Sequence, residues 1–190
     1  MASNPPIAVY DACVLYPFHL RNLLVQCAVD RLVDAHWTDA IHDEWIRNLS
    51  VNNPALPVRQ LNAARDLMNA AVPGALIKVN TAAPSIDLPD PNDQHVLAAA
   101  VTVGASAIVT WNLKDFPAES LRDLGPVAQT PDRFLTALHD ANPDILVAVV
   151  ARARRNLRRS QVPPADFLEA LRRQNLTELV SRLEERREDL

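Results

Sequence analysis

The amino-acid sequence predicts an α/β protein with a central parallel sheet flanked by helices, followed by an all-helical C-terminal extension. Two short apolar segments, IAVYDA at 7–12 and SAIVTWN at 106–112, have the composition of buried strands. Amphipathic helical segments lie between and after them, and this alternation favours a parallel sheet covered on both faces. About fifty residues at the C-terminal end show helical periodicity and no strand pattern.

The helices of the α/β part are indicated by their caps and by the spacing of their apolar residues. Thr38 is a typical N-cap, and Ile41, Trp45 and Leu49 follow at the spacing of one helical face. The predicted helices in chain order are 20–32, 38–49, 56–72, 91–103 and 130–138. Two short segments are candidate strands, ALIKV at 75–79 and PVAQ at 126–129.

Charge and periodicity divide the chain into two parts. We predict an α/β domain over residues 5–141 and an arginine-rich helical extension over residues 142–190. Residues 1–150 contain 9 Lys and Arg against 16 Asp and Glu, a balance of −7, whereas residues 151–190 contain 10 Arg against 7 acids, a balance of +3. Such an arginine-rich face can be solvated, can bind phosphate or can bind a partner.

Bulk properties exclude several classes of protein. A chain of 190 residues is long enough to bury a core without disulfides, and its two cysteines, Cys13 and Cys27, form no metal-binding spacing. The sequence shows no signal-peptide pattern and no apolar run long enough to span a membrane. We therefore expect a cytoplasmic protein without membrane contact.

The segment DPNDQHVLAAA at 90–100 places two aspartates just before an alanine-rich helix. Asp90 is well placed to cap that helix, with Pro91 at its first position. Asp93 also benefits from the positive end of the helix dipole. One or both carboxylates could instead bind a metal ion, and the local pattern alone does not decide between the two roles.

Other carboxylates follow predicted strands. Asp11 ends the first strand between apolar segments, and Asp115 follows the strand SAIVT, so both are expected at the carboxyl edge of the sheet, where α/β proteins form their sites. Two carboxylates about 4 Å apart repel by roughly 4 kcal/mol at an effective dielectric constant of 20. A cluster of them therefore requires a cation or protonation, and oxygen ligands suit Mg²⁺ or Mn²⁺.

Three segments of the chain, YDACVLYP, IHDEWIRNL and DPNDQHVLAAAVTVGASAIVTWNLKDFP, resemble those of PIN-domain nucleases, in particular VapC-type toxins. The resemblance covers about residues 7–135, and the third segment is the most specific. It implies a PIN-like fold and the cleavage of RNA with Mg²⁺ or Mn²⁺. It also implies a homodimer and a cognate antitoxin protein.

The resemblance assigns roles to particular residues. Asp11, Glu44, Asp93 and Asp115 match the acidic residues that bind the metal ion and support catalysis in the family. Asn112 matches a polar position just after the strand, and we expect it to contact the substrate. Asp90 has no general counterpart in the family and is expected mainly as a cap, with metal contact as its second role.

Two arginines, a cysteine and the histidines also bear on the site. Arg21 and Arg47 lie near its segments and could contact phosphate, although surface arginines are common. Cys13 stands where many family members have a small polar residue that supports the site, and a thiol is a weak donor. None of the five histidines has another histidine four residues away; His95, two residues after Asp93, is expected to lean away from that carboxylate.

Together these observations predict a Mg²⁺- or Mn²⁺-dependent endoribonuclease that acts as the toxin of a type II toxin–antitoxin pair. In this mechanism a metal-activated water attacks the RNA phosphorus, without a covalent enzyme intermediate. Two alternatives remain: a PIN-like nuclease of RNA processing that has no antitoxin, and an inactive PIN-like module that binds RNA or protein. A phosphatase is less favoured, because the first strand ends Asp11-Ala12-Cys13 and lacks the paired aspartates of such enzymes.

Overall fold

The central sheet is parallel, and its four strands run in the order β2-β1-β3-β4. A computed structural model describes residues 4–79, 88–157 and 161–190 of the chain. Its strands are β1 Ile7–Tyr10, β2 Asp34–His36, β3 Ala107–Val109 and β4 Val127–Gln129. Val9 in β1 is paired with His36 on one side and with Ile108 on the other. The predicted parallel α/β fold is confirmed.

Helices separate and follow these strands. In the described part of the chain they are α1 Ala12–Leu15, α2 Phe18–Val29, α3 Asp39–Asn52, α4 Val58–Ala71, α5 Gln94–Val103, α6 Ala118–Leu121, α7 Pro131–Ala141, α8 Pro143–Arg155, α9 Pro164–Arg172 and α10 Thr177–Glu184. Single 3-10 turns cover Pro91–Asp93, Leu113–Asp115 and Arg187–Asp189. Thr38 caps α3 as predicted, since its side chain accepts the N–H of Ile41.

The strands of the structure differ from the predicted strands in two places. The segment ALIKV forms no strand; Leu76 makes only an isolated bridge to Trp37. The strand β2 was not predicted, because its three residues, Asp34, Ala35 and His36, show neither an apolar run nor a long alternation. The predicted strand PVAQ is confirmed as β4 at the other edge of the sheet.

The order of the strands creates a switch point between β1 and β3. The chain passes from β1 to β2 on one side, then returns across β1 to form β3 on the other side. Sites of open α/β sheets form where the strand order reverses in this way, beyond the carboxyl ends of the strands. Asp11 follows β1 and Thr110 follows β3, so both residues lie at this point.

The C-terminal helices are packed onto the α/β part. Helix α8 packs against α2, and α10 packs against α7. The predicted domain boundary at residues 141 and 142 falls at Asn142, the single residue between α7 and α8. In the described ranges no helix is both long and apolar enough to cross a lipid bilayer.

Candidate metal centre

Asp11 is held at the switch point by two side chains from different parts of the chain. Its carboxylate is 2% exposed and makes no cap bond to α1, although it occupies the N-cap position of that helix. Its Oδ2 instead accepts the hydroxyl proton of Thr110 at 2.6 Å and the thiol proton of Cys13 at 3.1 Å. The carboxylate of Asp11 is therefore bonded to Thr110 and Cys13 and does not cap helix α1.

Asp90 and Asp93 have different local roles. The Oδ1 of Asp90 accepts the backbone N–H of Asn92 at 2.9 Å and its side-chain amide at 3.0 Å, so the predicted capping role of Asp90 is confirmed. Asp93 is 8% exposed and makes no cap hydrogen bond. Its Oδ2 is buried and has no hydrogen-bond partner among the described residues, which is costly for a carboxylate.

The charges of the four other predicted carboxylates act on Asp93. Burial has the largest effect on the pKa of Asp93, and together with the negative charges of Asp11, Asp90, Asp115 and Glu44 it raises this pKa from 3.8 to about 6. Like charges disfavour ionisation of a neighbour only when they are near it. We call these five residues, Asp11, Glu44, Asp90, Asp93 and Asp115, the carboxylate cluster.

Glu44 reaches the cluster from α3, where its side chain is partly buried. Burial raises the pKa of Glu44, and the charge of Asp11 adds to this effect, whereas His95 and Arg47 lower it. The Nε2 of His95 lies 3.5 Å from Glu44 Oε2, and its Nδ1 lies 2.7 Å from the carbonyl oxygen of Asn92. His95 was expected only to lean away from Asp93, and its contact with Glu44 was not foreseen.

The loop after β3 contributes Thr110, Asn112 and Asp115. Thr110 was not among the predicted site residues, although it is fully buried and bonded to Asp11. A strand that ends in threonine just before Asn-x-x-Asp-Phe was the available signal in the sequence. Asn112 has an exposed side chain, and its backbone N–H donates to Thr110 Oγ1 at 2.9 Å. Asp115 lies in the following 3-10 turn and is partly buried.

Cys13 supports the site despite being a weak donor. Burial raises the pKa of its thiol from 9.0 to about 12, and the charge of Asp11 contributes to this shift. The thiol therefore stays protonated at neutral pH and keeps its proton for Asp11. Its Sγ also accepts the backbone N–H of Trp111 at 3.3 Å.

The two arginines predicted near the site have different surroundings. Arg21 is buried; its Nη1 donates to the carbonyl oxygens of Leu15 and Tyr16, and its guanidinium lies 4.6 Å from the ring centre of Trp45. These contacts assign Arg21 a structural function at the end of α1. Arg47 is exposed on α3, and its charge acts on Glu44.

The donor chemistry of the carboxylate cluster fits a hard divalent cation. It supplies oxygen ligands only, several like charges and one buried oxygen, Asp93 Oδ2, that has no partner in the described part of the chain. Among the described residues, no three His, Cys, Asp or Glu side chains are grouped closely enough to hold a metal ion by themselves. This arrangement suits an ion such as Mg²⁺, which commonly keeps several waters and takes one or two carboxylates together with substrate phosphate.

The arginines of the C-terminal helices are largely paired with acids. Arg152 contacts Asp30, the C-cap residue of α2, at 2.9 Å, so this pair joins the extension to the α/β part. Further ion pairs in the described part of the extension involve Arg172 with Glu169 and Glu184, Arg173 with Glu169, Arg182 with Asp140 and Glu178, Arg186 with Asp144 and Asp189, and Arg187 with Glu184. Much of the positive charge of the extension is therefore neutralised within the protein.

Comparison with known proteins gives two family matches. A family model described as "PIN domain" matches residues 8–114, more than half of the chain, and one described as "VapC50 C-terminal domain" matches residues 131–185. The curated "Putative ribonuclease VapC50" of Mycobacterium tuberculosis (strain ATCC 25618 / H37Rv) is 45% identical over 58 residues, which are 30% of this chain and 34% of that protein. The chain thus aligns with about a third of that relative's length. No solved structure matches.

Proposed function

Because this chain belongs to the PIN-domain family, we propose that it is a metal-dependent endoribonuclease and the toxin of a type II toxin–antitoxin pair. The observation that carries the proposal is the carboxylate cluster at the switch point of the sheet. Asp93, one of its two buried members, has a pKa of about 6 because of burial and the charges of the four other carboxylates. Perturbed groups of this kind are common at functional sites.

In this proposal Mg²⁺ or Mn²⁺ binds at Asp11, Glu44, Asp93 and Asp115, with one or two of these carboxylates as direct ligands and the others acting through bound water, and Asp90 contributes beside its capping role. When bound, the cation polarises the phosphodiester and lowers the pKa of the attacking water. The protein keeps Asp11 fixed through Thr110 and Cys13 and keeps Asp93 away from bulk water. No residue of the cluster is required to become covalently attached to the RNA.

RNA is the proposed substrate, and the curated relative is named a putative ribonuclease. Residues 1–150 carry a net negative charge that repels RNA, so exposed basic side chains near the site must attract the RNA phosphates. Arg47 is the best placed of the two predicted arginines, because it is exposed beside Glu44. Asn112 offers an exposed side-chain amide on the loop that carries Asp115.

The proposed partners are a cognate antitoxin and a second copy of the chain. The match to the C-terminal domain model of VapC50 over residues 131–185 supports a toxin of this type. We propose the α/β part, 5–141, as the nuclease domain and residues 142–190 as a helical extension. The ion pairs in that extension favour a structural function over direct contact with RNA.

The first test is RNA cleavage by the purified protein with Mn²⁺ or Mg²⁺, compared with EDTA. Asp11→Asn and Asp93→Asn should abolish metal-dependent cleavage, and Asp66→Asn on the exposed side of α4 should not. Cleavage that persists in EDTA, or in both cluster variants, would contradict the proposed site. RNA binding without any cleavage or metal binding would favour the inactive binding module.

The second test addresses the toxin. Induced expression of the wild-type protein should arrest growth, whereas expression of Asp93→Asn should not. Co-expression of a small protein from a neighbouring gene should restore growth in the presence of the wild type. If the active nuclease cuts RNA in vitro but never arrests growth, an RNA-processing nuclease without antitoxin becomes the better assignment.

A further inference from the structure

An apolar cleft of about 300 Å³ lies at the outer edge of the sheet, beside strand β4 and helix α6. Its apolar lining consists of Leu113, Phe116, Pro117, Leu121, Pro126 and Val127. Val127 is 57% exposed and Leu113 is 42% exposed, so the cleft is open to a ligand from solvent. Its volume is at the lower end of the range of roughly 300–1,000 Å³ for small-molecule sites, which suits a ligand of one or two rings.

The cleft adjoins the carboxylate cluster through one short turn of the chain. Leu113 and Phe116 both line the cleft, and Asp115 stands between them. The turn is closed by two backbone hydrogen bonds, from Asp115 N–H to the carbonyl oxygen of Asn112 at 3.0 Å and from Phe116 N–H to that of Leu113 at 3.2 Å. The charge of Asp115 also raises the pKa of Asp93. A ligand in the cleft therefore lies next to the proposed metal centre.

Two basic side chains flank the apolar lining. Arg122 lines the cleft, and Lys114 lies in the adjoining turn. Both are exposed, and neither forms an ion pair with a described residue, unlike most arginines of the C-terminal extension. The neighbouring acids, Glu119 and Asp123, do not line the cleft. An apolar surface beside unpaired positive charges suits single-stranded nucleic acid, whose bases are apolar and whose phosphates are negative.

The outer side of β4 adds polar groups to the cleft. The N–H of Val127 donates to the carbonyl oxygen of Ser106 at 3.0 Å, and the carbonyl oxygen of Gln129 accepts the N–H of Thr110 at 2.9 Å, so both residues face β3. The backbone N–H and C=O of Ala128 between them point away from β3, because β4 is the last strand of the described sheet. Ala128 lines the cleft, and one donor and one acceptor on an apolar wall can orient a ligand.

We propose that this cleft, the base site, binds one nucleobase of a single-stranded RNA whose adjoining phosphate lies at the carboxylate cluster. Arg122 and Lys114 then hold the phosphates on either side of that base. The proposal deepens the proposed function and rests on it, because it takes RNA as the substrate. An extended protein segment could also pair with β4, but the two unpaired cations favour a polyanion.

Cross-linking tests where a base lies. A short single-stranded RNA of random sequence that contains 4-thiouridine is bound to the full-length protein in EDTA and irradiated. Trypsin cleaves after Lys114, Arg122 and Arg133, so the peptides 115–122 and 123–133 carry most of the lining. Cross-links should be concentrated in these two peptides and should be lost when excess unlabelled RNA competes. Cross-links found only in other peptides would overturn the base site.

Two pairs of variants test the same site by RNA affinity, measured by fluorescence anisotropy in EDTA. Val127→Glu places a negative charge in the cleft and should weaken RNA binding about fivefold or more. Its control is Ile145→Glu on α8, because Ile145 is also an exposed apolar residue, at 50%. Arg122→Ala should weaken binding about threefold, whereas Arg31→Ala should not, because Arg31 precedes β2 at the opposite end of the strands.

The outcomes separate the base site from the proposed function. If wild type cleaves RNA, and Val127→Glu and Arg122→Ala bind RNA as wild type does, the base site alone is wrong and a protein segment becomes the better occupant of the cleft. If wild type neither binds nor cleaves RNA, both proposals are wrong. Thermal unfolding shows whether Val127→Glu folds, and Arg122→Ala, which changes an exposed side chain, tests the site if it does not.

Discussion

The carboxylate of Asp132 on α7 accepts the backbone N–H of Leu179 on α10 at 2.9 Å. It also accepts the N–H of Glu178 at 2.9 Å, and Leu176 at the N-cap position of α10 offers no side-chain cap. A residue far away in the sequence therefore caps the last α-helix. This contact joins the C-terminal extension to the α/β part through a buried carboxylate.

Asp132→Ala should destabilise the protein by about 1–3 kcal/mol, because it leaves two backbone N–H groups at the start of α10 without their acceptor. The free energy of unfolding from urea titration measures the effect. Asp140→Ala is the matched control, since Asp140 is exposed and pairs only at the surface with Arg182 and His139. Equal losses in the two variants would argue against the capping role of Asp132.

Asp93 should give the metal-free protein a characteristic pH dependence. Its pKa is raised to about 6 from 3.8, so the folded state binds this proton more readily than the unfolded state does. The stabilisation from this group is present at pH values below 3.8 and is lost as the pH rises through 6. Above pH 6 the ionised carboxylate of Asp93 lowers the free energy of unfolding relative to the protonated form.

Asp93→Asn removes this dependence. In EDTA the stability of the variant relative to wild type should be highest near pH 7.5 and should fall as the pH is lowered toward 4.5. Urea titrations at several pH values measure the difference. The control is Thr136→Val: Thr136 is buried on α7, and because this substitution removes no titratable group it should show a constant difference. A constant difference for Asp93→Asn would contradict the raised pKa.

A divalent cation should stabilise the wild-type protein. A ligand at 100 times its Kd adds about 2.7 kcal/mol, which corresponds to a rise in Tm of about 5–10 °C for a chain of this size. Thermal unfolding with and without Mn²⁺ measures the rise. Asp11→Asn and Asp93→Asn should lose most of it, whereas Asp66→Asn on α4 should retain it. A similar rise in Tm for wild type and all three variants would show that Mn²⁺ binds outside the carboxylate cluster.

His42 should make the protein less stable in mild acid. Its Nδ1 accepts the indole N–H of Trp45 at 3.0 Å, and its Nε2 donates to Asn69 Oδ1 at 3.1 Å. Both ring nitrogens are thus used in the neutral form. Burial lowers the pKa of His42 from 6.5, so its contribution is full above pH 6.5 and is lost as the pH falls below that value.

His42→Leu should cost about 2 kcal/mol at pH 7.5, because Trp45 and Asn69 lose a partner. The gap to wild type should narrow as the pH is lowered to 5.5, since only wild type must bury or expel a charged imidazole. Unfolding free energies at both pH values measure the gap. A gap that widened in acid would show that the protonated form is tolerated.

Arg47→Ala should weaken the interaction with RNA without affecting the chemical step. We expect KM to rise about fivefold at low salt and the slope of log affinity against log salt to fall by up to about 1, with kcat nearly unchanged. Arg173→Ala on α9 is the control, because Arg173 is exposed and pairs with Glu169. Equal effects of the two variants would indicate non-specific attraction.

Local patterns determined the elements near the site. Thr38 caps α3, and Gly104 ends α5 with a φ of 63° that favours glycine; both are short-range effects. The apolar runs around β1 and β3 placed Asp11 and Asp115 beyond strand ends, and the motifs identified the PIN-domain family, as the family match confirms. The ends of the helices differ from the predicted ones by up to three residues, and the three-residue strand β2 had no pattern that could predict it.

Only the tertiary structure decided which side chains meet. Thr110 bonds to Asp11 across 99 residues, and Asp132 caps α10 across 47. Arg21 is buried beneath Trp45 rather than exposed to solvent, and His95 lies against Glu44. The physical reason is that caps and periodicity arise within a few residues of the chain, whereas these partners depend on the packing of whole helices onto the sheet.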